Sequence, residues 1–106
     1  MGRVMIALLA LAATAWQPIT LSWYSGGSRT ADGTRMRNDG KWLATYREPL
    51  GTVVEIRANG VTQRLVVRDR TAKRFGHRAD LPRETWKGFG YPLSKGLIKA
   101  EYRRIK

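Results

Sequence analysis

Asp69, an acid between two arginines in the stretch VVRDR at 66–70, is the residue around which the sequence places its most plausible chemistry. It ends a run, VTQRLVVRDR at 61–70, in which successive side chains of a strand alternate between faces. Leu65, Val67 and Asp69 then share one side, and Val66, Arg68 and Arg70 the other. An acid that closes an apolar row sits at the rim of the core with poor hydration, a setting that suits proton donation. The plain alternative is a strand-end acid that only pairs with a neighbouring cation.

Other candidate groups are few. His77 is the sole histidine and there is no cysteine, so a polyhistidine or thiolate metal site is excluded and no metal or cofactor is expected. No phosphate-binding loop is present, because Gly26-Gly27 lacks the following Lys-Ser/Thr. Trp23, Tyr24, Trp42 and Tyr46 have the ring faces that stack on sugars or bases, although such residues equally build cores.

The elements that must position these groups are short. Alternation predicts a strand over 17–24, with Leu21 and Trp23 on one face and Ser22 and Tyr24 on the other. Gly26-Gly27, Asp32-Gly33 and Asn38-Asp39-Gly40 mark loops or turns, and 41–46 reads equally as a short strand or one helical turn. A second alternating run, 52–57, turns inward Val54 and Ile56. It joins the 61–70 run through Asn59-Gly60, whose tolerance of positive φ predicts a type I′ hairpin. Residues 82–87 predict a short helix with Pro82 in its first turn, and 96–103 a last strand. Short strands, many turns and one helix indicate an all-β barrel or sandwich.

With 20 Lys+Arg against 8 Asp+Glu in 106 residues, the net charge of +12 calls for an acidic partner, but the bases are dispersed and form no nucleic-acid arm. Residues 1–15 read as a signal peptide: Arg3, an apolar run over 4–12, and Ala13-Thr14-Ala15 as a cleavage site. The expected domain is 16–106, periplasmic or secreted, with no membrane span after cleavage. Export favours envelope polymers over nucleic acid as partners.

In order along the chain, SWY at 22–24, RTADG at 29–33, LATYREPLGT at 43–52, VVRDR at 66–70 and ADLP at 79–82 resemble the motifs of rare lipoprotein A-like double-psi β-barrels. The resemblance covers about residues 20–103 and implies a six-stranded double-psi β-barrel with one short helix, related to expansin and lytic transglycosylase barrels. It implies an exported bacterial or phage protein that acts on peptidoglycan glycan strands as a lytic transglycosylase, a lyase that works as a monomer without a cofactor. The family's aspartate falls on Asp69, as general acid and base; Trp23, Tyr24, Asp32, Tyr46 and Arg70 would line the substrate groove. Asp80 would serve as a cap or barrel tie. One acid suffices for this reaction, since the sugar's own 6-hydroxyl displaces the leaving group after the bridging oxygen is protonated. Thr34 and Tyr46 stand where many members have glutamate and histidine, and Thr71-Ala72 where they have Gly-Pro. The alternative reading is therefore a non-catalytic barrel that binds peptidoglycan or another anionic polysaccharide.

Overall fold

The computed structural model describes residues 15–25, 29–35 and 40–106. The expected leader at 1–15, apart from Ala15, the Gly26-Gly27 loop and the Asn38-Asp39 part of a turn lie outside the described residues. Six strands close into a barrel in the order β1-β5-β2-β4-β3-β6. They are β1 (Gln17–Tyr24), β2 (Trp42–Thr45), β3 (Val53–Ala58), β4 (Val61–Asp69), β5 (Arg78–Pro82) and β6 (Ile98–Arg104). A five-residue helix, α1 (Arg83–Lys87), follows β5 directly. This is the double-psi barrel expected from the sequence: two parallel pairs, β1 with β5 and β2 with β4, interlock among antiparallel neighbours.

The core follows the alternation. Leu21, Val54, Ile56, Leu65, Val67, Ala79, Leu81 and Ile98 fill the barrel, and Trp86 and Phe89 from α1 and its end plug it. A buried side chain of the size of Trp86 contributes about 3 kcal/mol or more. Its indole N–H donates to Pro92 O at 3.1 Å, so the polar atom is not left unpaired inside. The Asn59-Gly60 hairpin forms as expected, with φ of 53° and 74°.

Residues 42–45 form a strand rather than a helical turn, and all four are buried. Its neighbours β4 and β5 take up the backbone donors and acceptors on both sides.

Candidate functional site

The face of β4 changes at its last residues. Trp42 pairs with Val66 and Leu43 with Val67, but Ala44 pairs with Asp69, because the register shifts there and Arg68 is the extra residue. A bulge of this kind re-aims the side chain that follows it. Leu43 and Val67 point into the core, so Ala44 and Asp69 lie on the outer side of the wall. Simple alternation put Asp69 on the inner row; the bulge carries it outward, onto the side where alternation puts Tyr24.

Three hydrogen bonds hold the carboxylate. The backbone amides of Ala31 and Arg70 donate to Oδ1 at 2.9 and 3.0 Å, and the Tyr24 hydroxyl donates to Oδ2 at 3.3 Å. Among the described residues no Lys or Arg comes within ion-pair distance of Asp69. Burial, and then the charge of Asp69 and its hydrogen bond, push the Tyr24 phenol up, with the Asp80 charge adding to this. The phenol therefore stays a proton-bearing donor at neutral pH. Its ring meets Trp42 edge to face at 5.7 Å, which fixes the hydroxyl beside the acid.

The Ala31 amide is delivered by the 29–35 loop. Within it Asp32 accepts from the Thr30 and Thr34 hydroxyls at 2.6 Å each and from the Thr34 amide at 3.0 Å. These bonds hold its carboxyl at about 2. The Asp32 amide in turn donates to Arg68 O at 3.0 Å, which pins the loop to the bulge. Gly33, at φ 86°, makes the reversal. Thr34 thus closes the turn that carries Ala31 to Asp69.

A second polar group lies on the same outer wall. β1 and β5 pair in parallel with Ser22 opposite Asp80, and β5 pairs with β2 with Asp80 opposite Ala44. The Ser22 hydroxyl donates to Asp80 Oδ1, and Arg78 Nη2 donates to both, at 3.0 Å to Ser22 and 3.1 Å to Asp80. Asp80 thus ties β1 to β5, and its charge also reaches Tyr24. Ser22, Arg78 and Asp80 were not read as site residues from the sequence, because only the parallel β1–β5 pairing brings them together.

The other sequence-derived candidates are placed as follows. Trp23 turns to the core side, where it packs on the buried cluster and its indole N–H donates to Leu93 O at 2.9 Å. Asp32 is the exposed hub of its turn. Tyr46 is 42% exposed in the turn after β2. Arg70 contributes its backbone amide to Asp69, and its side chain is exposed. The structure brings together Tyr24, Asp69, Asp80, Ser22 and Arg78. Among the described residues no group of three or more His, Cys, Asp or Glu side chains is placed to hold a metal ion.

No protein-family model matches the sequence, and no curated protein matches it. Solved structures do share the fold. A Streptomyces papain inhibitor superposes with a TM-score of 0.73 at 19% identity, over 87% of this chain and 96% of the inhibitor. An expansin of Clavibacter michiganensis gives 0.71 at 17% identity, over 87% of this chain. A mutant of that expansin in complex with cellohexaose gives the same values. The chain spans 51% of the expansin's length. At these identities the likeness is one of architecture: the chain is a double-psi β-barrel of the kind found in expansins.

Proposed function

We infer that this barrel binds an extended envelope polysaccharide, peptidoglycan or another anionic glycan, along the outer wall formed by β1, β5, β2 and β4, without cutting it. The observation that carries the reading is the Tyr24–Asp69 pair beside Asp80, Ser22 and Arg78. These groups supply donors and acceptors at the spacing of one wall, with an aromatic edge beside them, which is the equipment for gripping sugar hydroxyls and ring C–H groups. The complex of an expansin with cellohexaose supports it by fold analogy, which speaks to the barrel and not to its residues. The net charge of +12 favours an acidic polymer.

The positions where rare lipoprotein A-like proteins often have glutamate and histidine support binding over cleavage. Thr34 serves the Asp32 turn, and Tyr46 is an exposed phenol, so neither position supplies the carboxylate or imidazole that those proteins have there. A second reading, a lytic transglycosylase with Asp69 as acid and base, is favoured by one feature. Both backbone amides take Oδ1, so Oδ2, which accepts only the longer bond from the Tyr24 hydroxyl, is the oxygen placed to exchange a proton with a glycosidic oxygen.

Purified sacculi separate the two. The binding reading expects the protein residues 16–106 to co-sediment with sacculi and to release no anhydro-muropeptides detectable by mass spectrometry. Release of such products that disappears in Asp69→Asn establishes the enzyme instead. Absence of co-sedimentation at low salt overturns both.

A further inference from the structure

The described surface also carries depressions away from Asp69. Two hollows, of about 500 and about 410 Å³, adjoin each other across β6 and share Lys99 and Ala100 in their walls. In the closed ring β6 stands three strands from β2 in either direction, so the middle of this surface lies across the barrel from β2, and its edge reaches the first residues of β1, which carries Tyr24 at its other end. We propose that it is a second binding surface, a basic trough that accepts a carboxylate-bearing polysaccharide.

The lining has the right chemistry in the right order. On one side of β6 the trough holds Arg57, Asn59 and Thr62, and on the other Arg47 and His77. Glu101 is the only acid among the lining residues of the two hollows, and Arg57 neutralises it at 2.9 Å. Arg47 is held by Pro18 O, by Gln17 Oε1 and over the Tyr102 ring, so it is a fixed positive wall. Lys99 differs. Its side chain projects from the outer face of β6 where the hollows meet, and no described acid pairs with it. An ammonium on a flexible stem at the middle of a trough can meet a carboxylate from either side. If the outer wall around Asp69 binds glycan as inferred above, one barrel bridges two chains, and that consequence alone rests on the earlier reading.

The test uses the ¹⁵N-labelled chain, titrated with hexagalacturonate as the carboxylated probe and with cellohexaose as the neutral one. Hexagalacturonate is expected to shift the amides of Asn59, Thr62 and Lys99, and cellohexaose to leave them unmoved. Lys99→Glu is expected to weaken the response at Asn59 and Thr62 about tenfold, and Lys99→Gln by less, without moving the amides of Ser22 and Tyr24. Asp69→Asn is expected to leave the trough titration as it is. Silent trough amides, or an unchanged titration in Lys99→Glu, overturn the proposal. So does displacement of hexagalacturonate from the trough by a DNA duplex at lower concentration, which would make this a nucleic-acid surface. A responsive trough with a silent Tyr24 wall upholds the trough and removes the inferred function of the other wall.

Discussion

Glu55 and Asp69, on different sides of the barrel, are held in opposite ways. On the β3–β6 wall Glu55 accepts from two N–H groups of Arg103 at 2.8 and 2.9 Å with Arg64 at 3.5 Å, and Glu101 accepts from Arg57 at 2.9 Å. Trp16 lies against both arginines, 4.1 Å from Arg57 and 4.5 Å from Arg103, and so fastens the chain just before β1 to the ladder. On the other wall Asp69 is held by two backbone amides and a phenol, all of them neutral. An acid matched by cations offers little net charge to a ligand. One held by neutral dipoles has no cation set against it, and at its Oδ2 it meets a phenol. The first arrangement serves the barrel, and the second leaves a group for a partner.

Substitutions at the two walls should therefore have separable effects. Asp69→Asn is expected to weaken sacculus binding roughly tenfold to a hundredfold, as loss of a charged hydrogen-bond acceptor does, while thermal stability changes little because the amide oxygen still accepts from Ala31 and Arg70. Comparable binding by the mutant and the parent would dissolve the distinction between the walls. Glu55→Gln should do the reverse: about 1 kcal/mol less stability in urea unfolding, and unchanged binding. Trp16→Ala should cost about 0.5–1 kcal/mol by the same measure, again without effect on binding.

The smallest effect concerns acid. The Thr30 and Thr34 bonds bring Asp32 from 3.8, its value in an unstructured chain, to about 2, so the folded loop releases this proton more readily than the unfolded chain does. The stabilisation is complete above about pH 4 and is lost as pH falls toward 2. Amide exchange at Ala31 and Thr34 should rise over that window in the parent and show no such step in Asp32→Asn. Glu55, held low by Arg103, follows the same sign on the other wall.

What was legible in the sequence was local. The Asn59-Gly60 turn and the alternation of Val54 and Ile56 are properties of adjacent residues, and the structure reproduces them. Alternation also separated Trp23 from Tyr24, and only Tyr24 reaches Asp69. Two things escaped. β2 is covered on both faces, so it carries no period to read. Parallel pairing joins segments far apart in the chain, and it alone puts Ser22 by Asp80 and inserts the bulge at Arg68. Asp69 was found by its place in a motif, yet its actual facing depends on that one extra residue.

The last strand closes the ring. β6 pairs with both β1 and β3, so without residues 98–104 both of these strands would keep an unpaired margin. Only the β3–β4 hairpin can assemble early; every other pairing waits for distant partners. Such a chain is slow to acquire its final shape, because most of its ladders cannot form until remote segments meet.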